Sequence, residues 1–197
     1  RMKYHIDFHV HTDRSPDGRS SLEALAAAAK KRGLDAIAVA DHDLFTISAP
    51  FVLNGVVILP ACECSTENGH LVGLLPEREP DCAALHAKGR LPSAAEAAAE
   101  LSRCGALLAA AHPFGRPAMD LDALGFRPDA VETANARACF RTPEANRLAA
   151  EYAAAHALPE IGGSDAHSRA EVGNAYTVVD CADLSPETLR EALRKGA

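Results

Sequence analysis

The sequence predicts an α/β fold, specifically a distorted (βα)7-type barrel of mostly parallel strands. Short apolar runs alternate with alanine-rich segments of helical period along the chain. About seven strands can be counted, which suits a small barrel better than a sandwich. The chain has 197 residues, 48% hydrophobic and 24% charged, which is typical of one well-buried globular domain. We therefore expect residues 1–197 to form a single domain.

The predicted elements follow from hydrophobic period and from residues typical of helix starts. The apolar runs from which about seven strands are expected are His5–Val10, Ala36–Ala40, Val56–Pro60, His70–Leu75, Ala106–Ala111, Ala130–Ala134, Pro159–Gly163 and Tyr176–Val179. The expected helices are Ser21–Arg32, Ser93–Cys104, Pro143–His156 and Ser185–Arg194. Ser93 with Glu96 three residues later predicts a capping box. The proline-containing segment 76–92 is expected to be a surface excursion or a lid.

Composition restricts the partners that the chain can have. The net charge of -7 argues against a broad basic surface for long duplex nucleic acid, because such a surface needs clustered Lys and Arg. No apolar run is long enough to span a membrane, and the start of the chain does not resemble a signal peptide. The six cysteines lack paired CxxC spacing, which favours reduced thiols. These features predict a cytoplasmic protein without a membrane partner.

Polar motifs follow the predicted strands at their C-terminal ends. They are His9-Val10-His11, Asp41-His42, Glu63, His112 and Asp165-Ala166-His167. In parallel α/β barrels, functional side chains gather at this rim. We therefore expect these residues to converge although they are far apart in the sequence.

The spacing within each motif favours metal binding. Residues two apart on a strand project from the same face, so His9 and His11 can bind one ion, and Asp165 with His167 repeats the pattern. Asp7 shares the parity of His9 and is expected to support the ligands from behind. Glu63 can bridge two ions with its two oxygens. The same parity directs its neighbours Cys62 and Cys64 outward, as small buried hydrophobes.

Two further histidines can be interpreted as metal ligands only when they are considered together with this series of motifs. His70 starts a predicted strand and His112 ends one, and either alone would be taken for a hydrogen-bonded structural histidine. Without metal, however, the series would leave about nine polar groups unpaired in the core, which is costly. Metal binding supplies their partners, so we interpret both as ligands.

The residues resemble the PHP family, the polymerase and histidinol phosphatase family, over nearly the whole chain. The segments that carry the resemblance are Asp7–Thr12, Ser15–Gly18, Val39–Asp43, Ala61–Glu63, Ala111–Pro113 and Gly163–His167. The resemblance implies a distorted (βα)7-type barrel that holds two to three divalent metal ions, Mn, Fe or Zn.

The resemblance also implies how the ligands divide among the ions. The implied sets are His9, His11, Glu63 and Asp165 for one ion, Glu63, His70 and His112 for a second, and Asp17, His42 and His167 for a third. Some relatives carry a histidine at the position of Asp17. The aspartate here is similar to the branch that hydrolyses nucleotides and short oligonucleotides, although this chain lacks the insertion that many of its members carry.

The expected reaction is metal-assisted displacement at phosphorus, in which a hydroxide held between two ions attacks the ester. Arg116 is a candidate to grip a nonbridging phosphate oxygen, and an exposed surface arginine is the alternative interpretation. Asp41 and His167 complete the expected catalytic residues. The expected substrates are small phosphate esters, such as nucleotide phosphates or short oligonucleotides, rather than long duplex nucleic acid.

Two other functions remain open from the sequence. A metal-dependent amidohydrolase also carries an HxH motif near its N-terminus and a late strand-end aspartate. The Asp165-Ala166-His167 motif and the absence of a lysine at a middle strand end argue against that class. A PHP-like module kept for stability or partner binding is the second alternative, and the full ligand set argues against it.

Overall fold

The computed structural model describes residues 2–87 and 89–196. The strands in these ranges are β1 (Met2–Val10), β2 (Ala36–Val39), β3 (Phe51–Leu53), β4 (Val56–Thr66), β5 (Gly69–Leu74), β6 (Leu107–Ala111), β7 (Ala130–Asn135), β8 (Glu160–Gly163) and β9 (Thr177–Cys181). The helices are α1 (Leu22–Lys31), α2 (Cys82–His86), α3 (Ala94–Arg103), α4 (Ala136–Arg141), α5 (Ala145–Ala155) and α6 (Pro186–Arg194). A 3-10 turn covers Leu121–Ala123.

The strands form one curled sheet in the order β8-β7-β6-β5-β4-β2-β1-β9, with β3 paired to β4. Pairing is parallel between β1 and β2, β2 and β4, β6 and β7, and β7 and β8. The end of β1 meets the chain just after β8 through a parallel bridge between Val10 and Ala166. The sheet is therefore a nearly closed, mostly parallel barrel, which confirms the predicted fold class.

A reversed strand in the middle of the sheet distorts the barrel. A turn of two residues, Glu67 and Asn68, joins β4 to β5, and two residues are too few for the crossover that parallel strands need. β5 therefore runs antiparallel to β4 and also to β6. The reversal places the start of β5, at His70, on the rim where the parallel strands end.

The opposite end of the barrel is closed by apolar packing. Leu189 and Leu193 of α6 join the same buried cluster as Leu74 and Leu107, where β5 ends and β6 begins. Arg190 donates to the carbonyl oxygen of Leu75. Helix α6 therefore covers the end that faces away from the polar motifs.

The observed elements extend and subdivide the predicted ones. β4 continues to Thr66, so Glu63 lies within a strand rather than after one. The helix expected at 143–156 begins at Ala145, and the separate helix α4 precedes it. The capping box of Ser93 and Glu96 is present as predicted. Among the described residues, the helices do not combine the length and apolar character that a membrane crossing requires.

A bulge interrupts the pairing of β1 with β2. Asp7 pairs with Ile37 but Val10 pairs with Val39, so three steps on β1 correspond to two on β2. Phe8 consequently packs in the inner cluster, whereas Val10 packs in the cluster with α1. The bulge changes which residues of β1 share a face just before the first polar motif.

Candidate metal centre

Four donor atoms from three parts of the chain form the most compact group at the rim. His9 Nε2 lies 3.1 Å from His11 Nε2, and both nitrogens lie 3.2 Å from Glu63 Oε2. His11 Nε2 lies 3.3 Å from Asp165 Oδ1. Donors that share one ion at about 2.1 Å lie roughly 3.0 to 3.4 Å apart at octahedral or tetrahedral angles. The spacing of the His9, His11 and Glu63 donors therefore fits a single metal ion, with Asp165 Oδ1 beside them at 3.7 Å from His9 Nε2.

Two buried carboxylate oxygens in this group lack hydrogen-bond partners. Glu63 Oε2 and Asp165 Oδ1 are both shielded from solvent and accept no hydrogen bond within the described part of the chain. A buried anionic oxygen without a partner is costly. A bound cation would supply the missing partner, so the donor set fits the divalent ions that the sequence implied.

The second oxygen of Glu63 faces a different pair of imidazoles. Glu63 Oε1 lies 2.9 Å from His70 Nδ1 and 3.1 Å from His112 Nε2. The two oxygens of one buried carboxylate therefore each face a separate group of nitrogen donors. This is the arrangement that a bridging carboxylate requires.

A third group surrounds Asp17 at the open side of the site. Asp17 Oδ2 lies 2.8 Å from His167 Nε2 and 3.7 Å from His42 Nε2. Donor atoms of His11, Asp17, His42 and His167 all lie within 4.8 Å of one another. His42 also approaches Glu63, with 3.2 Å between its Nδ1 and Glu63 Oε2. The structure thus brings all nine predicted ligands together.

The close packing of opposite charges sets the pKa values of the group. Burial lowers the pKa of His11, but the adjacent carboxylates of Asp165 and Glu63 outweigh it and raise the pKa to about 9. Burial likewise opposes ionisation of Glu63, but the imidazoles of His9 and His11 outweigh it and hold the carboxyl pKa well below its usual range. The site is therefore a dense cluster of negative oxygens and imidazoles.

Two of the expected ligands adopt a left-handed backbone conformation. φ is 55° at Asp165 and 31° at His112, a region that costs non-glycine residues about 1–3 kcal/mol. His112 immediately follows β6, and Asp165 is the second residue after β8. The backbone is therefore strained where it turns these side chains toward Glu63.

A buried glutamate that sequence reasoning missed orients two of the histidines. Glu132 Oε1 lies 2.9 Å from His9 Nδ1, and Glu132 Oε2 accepts from the His112 backbone N–H at 2.9 Å. Asn135 Nδ2 donates to the same Oε2 at 2.8 Å. The position of Glu132 within the apolar strand β7 was the available signal in the sequence, because a charged residue there needs a buried partner.

Asp7 and Asp41 lie beneath the site and act on its backbone. Asp7 accepts from the backbone N–H groups of His9 and Ser164, so it supports His9 through the main chain. The shared-parity argument for Asp7 is wrong, because the bulge in β1 separates Asp7 from His9. Asp41, expected to be catalytic, is fully buried and accepts from the Thr12 N–H and hydroxyl at 2.6 and 2.7 Å. Asp41 therefore acts as a positioning residue, which holds Thr12 through these two hydrogen bonds.

A cavity of about 200 Å³ opens over the three groups of donors. Three arginines, Arg116, Arg137 and Arg141, line it together with seven of the nine expected ligands, all but His9 and His11. Arg137 pairs with Glu171 at 2.8 Å, and Glu171 also accepts from the His167 backbone N–H. Arg116 was expected at this position, whereas the two arginines of α4 were missed because that helix was not predicted. The cavity can therefore accept an anionic group beside the donor cluster.

Comparison with known protein families gives one profile match near each end of the chain. The PHP domain profile matches residues 7–55, and the PHP-associated profile matches residues 143–197. A search of curated proteins found no match.

Solved structures share the fold at low sequence identity. A lesion-specific endonuclease, Endonuclease Q of Pyrococcus furiosus, matches with a TM-score of 0.72 and 21% identity over 100% of this chain and 57% of its own. Endonuclease Q has also been solved with a 27-mer duplex that carries an abasic lesion at the active site. This chain therefore spans just over half the length of that endonuclease.

Two other structures match at nearly their full length. A putative metal-dependent phosphoesterase from Bifidobacterium adolescentis has a TM-score of 0.69 and 20% identity over 98% of this chain and 96% of its own. An amidohydrolase from Chromobacterium violaceum, solved with bound sulfate, has a TM-score of 0.64 and 18% identity over 91% and 93%. At these identities the structures show a shared fold, while the two profile matches confirm that this chain carries a PHP domain with a PHP-associated C-terminal segment.

Proposed function

We propose that the chain is a metal-dependent phosphoesterase that hydrolyses small phosphate esters, either nucleotide phosphates or short oligonucleotides. The observation that carries the proposal is the position of Glu63, whose two buried oxygens each face a separate set of imidazoles at 2.9 to 3.2 Å. The PHP domain match and the phosphoesterase of the same fold support the enzyme class. The six free cysteines agree with a cytoplasmic location.

The proposed ligands are the three sets expected from the sequence, with Glu63 shared between two of them. Divalent ions bound there would lower the pKa of water toward neutrality and neutralise charge on the phosphoryl oxygens. The carboxylate of Glu63 would contribute one oxygen to each of the two sets that share it. Glu132 fixes the ring of His9, and Asp41 fixes the loop after His11 through Thr12.

Two residues have proposed roles in the reaction itself. Arg116 lines the cavity and can donate two parallel hydrogen bonds to nonbridging oxygens of the substrate. His167 Nδ1 lies 2.8 Å from the Asp165 carbonyl oxygen, which only accepts, so Nδ1–H is the donor. This leaves Nε2 beside Asp17 to bind an ion or to hold a proton near the departing oxygen.

Charge and cavity size favour a small substrate over long duplex nucleic acid. The cavity of about 200 Å³ suits a single phosphoryl group and its immediate neighbours. The net charge of -7 leaves no extended basic track for a duplex. Endonuclease Q has been solved with a duplex, and this chain covers 57% of that enzyme's chain, so a lesion-containing duplex belongs among the substrates to be tested.

Hydrolysis of an amide is the second candidate, because one structure of the same fold is described as an amidohydrolase. Three arginines around the cavity favour the phosphoester, since their guanidinium groups match phosphoryl oxygens better than a neutral amide.

The test compares kcat/KM for a nucleoside bisphosphate, a short oligoribonucleotide, a long duplex with an abasic site and a small amide under one metal and salt condition. We expect a small phosphate substrate to be the best. The proposal fails if the duplex is the best substrate, or if only the amide turns over. Arg116→Ala should raise KM for the phosphoester, whereas the surface variant Arg147→Ala should not.

A further inference from the structure

The outer face of β4 carries a second cluster of potential ligands that the proposed reaction does not use. Cys62 and Cys64 flank Glu63 and point away from the barrel interior, into the cluster with Leu101 of α3. Cys82, from the start of α2, reaches the same place. The three sulfur atoms all lie within 4.8 Å of one another.

All three thiols are shielded from solvent. Cys62 and Cys64 are completely buried, and Cys82 retains 5% of its surface. Buried free cysteines often act as small hydrophobes, but that role requires no convergence of sulfur atoms. Here two elements that are separated by 18 residues or more in the sequence place their sulfurs at a single point. Apolar packing alone does not explain why the three sulfur atoms converge.

The position of Cys82 gives the convergence a structural consequence. Helix α2 has five residues, and Cys82 is the buried one among them. The helix belongs to the excursion between β5 and α3, whose described charged residues are exposed. Cys82 is therefore the buried contact of α2 with the barrel, beside Leu85, which packs partly buried against the same cluster, and His86, whose Nε2 lies 3.3 Å from Asp43 Oδ1.

We propose that Cys62, Cys64 and Cys82 form a separate binding site for a thiophilic cation of the Zn²⁺ class, which fastens α2 to the outer face of β4. Thiolates that share a zinc ion at about 2.3 Å lie roughly 3.8 Å apart, so small side-chain rotations from the observed spacing suffice. Soft sulfur donors select such ions over Mn²⁺ or Mg²⁺. The site is independent of the phosphoesterase proposal, because Glu63 faces the other side of the strand.

Cadmium titration of the reduced, metal-free full chain tests this site directly. Thiolate ligation of Cd²⁺ produces a sulfur-to-metal charge-transfer band in the ultraviolet, whereas histidine and carboxylate ligands produce none. We expect the band to saturate at one equivalent in the wild type. It should be lost in Cys82→Ser and in Cys64→Ala, each checked for folding by circular dichroism. It should persist in His9→Ala, whose substitution affects only the inner cluster.

Two control substitutions separate the cluster from the remaining thiols. Cys104→Ser and Cys139→Ser, which lie outside the trio, should keep the band at full intensity. Zn²⁺ should also slow tryptic cleavage after Arg78 and Arg90 several-fold in the wild type but not in Cys82→Ser. The proposal is overturned if the wild type gives no band, if Cys82→Ser retains it, or if mass spectrometry shows a disulfide within the trio under the same conditions.

Discussion

The two ends of the barrel carry different chemistry on the same strands. On β1, His5 at the starting end is partly exposed, with its Nδ1 3.7 Å from Asp35 Oδ2 and its ring against the edge of Tyr176. Four residues later, His9 is buried and lies within 3.2 Å of three other polar groups. The starting end is closed by leucines of α6, whereas the other end gathers imidazoles and carboxylates.

The difference shows how one scaffold separates stability from chemistry. Leu189 and Leu193 bury apolar surface against the barrel, which favours folding without placing any reactive group. The opposite rim holds unpartnered oxygens and a strained backbone, which disfavour folding until a partner binds. Substitutions at the two ends should therefore affect different measurements.

The largest expected effect comes from removing a proposed ligand. His9→Ala should abolish phosphoester turnover while the chain stays folded, because the substitution deletes a donor from the most compact group. His5→Ala, at the starting end of the same strand, is the matched control and should retain activity. Steady-state kinetics and circular dichroism measure both effects. Wild-type rates in His9→Ala would mean that this ligand set is misassigned.

A substitution at the closed end should have the opposite pattern. Leu189→Ala removes a fully buried side chain and should lower the free energy of unfolding by about 2–5 kcal/mol. The kcat of the folded fraction should not change. Leu91→Ala, at a side chain with 46% exposure, should leave stability nearly unaltered. Urea denaturation measures the effect, and an equal loss in both variants would contradict the proposed role of α6.

A smaller effect on metal affinity should follow from changing a residue that orients a proposed ligand while the ligand itself is kept. Glu132→Gln keeps the shape of the side chain but removes the charge beside His9 Nδ1, so affinity for Mn²⁺ should fall about 10–100-fold. Isothermal titration calorimetry measures that affinity. Glu160→Gln, on the neighbouring strand β8, is the control. Unchanged affinity in Glu132→Gln would show that its contact with His9 is only structural.

The sequence predicted the fold class and the convergence of the polar motifs because both depend on regular spacing. Strand ends in a parallel barrel meet at one rim, so the proximity of His9, Glu63 and His112 could be predicted from the sequence alone. The outward direction of Cys62 and Cys64 also followed from strand parity, which the structure confirms. Features that repeat along a strand were therefore accessible from the sequence.

Local departures from regularity were not accessible in the same way. The bulge in β1 invalidated the parity argument for Asp7, because one extra residue moves every later side chain to the other face. The arginines of α4 were missed because a six-residue helix gives a weak periodic signal. The approach of Cys82 to β4 depends on a tertiary contact, and a single sequence does not encode that contact as a pattern.

Metal content is the most direct test of the central claim, that the rim of the barrel is a multinuclear metal centre. The full chain, stripped of metal and reconstituted with excess Mn²⁺ before desalting, should retain two to three Mn²⁺ per chain by elemental analysis, because the donors form three compact groups around Glu63 and Asp17. Mn²⁺ is the suitable ion because it binds thiolates poorly and so reports on the rim alone. Retention of at most one ion per chain would contradict the account.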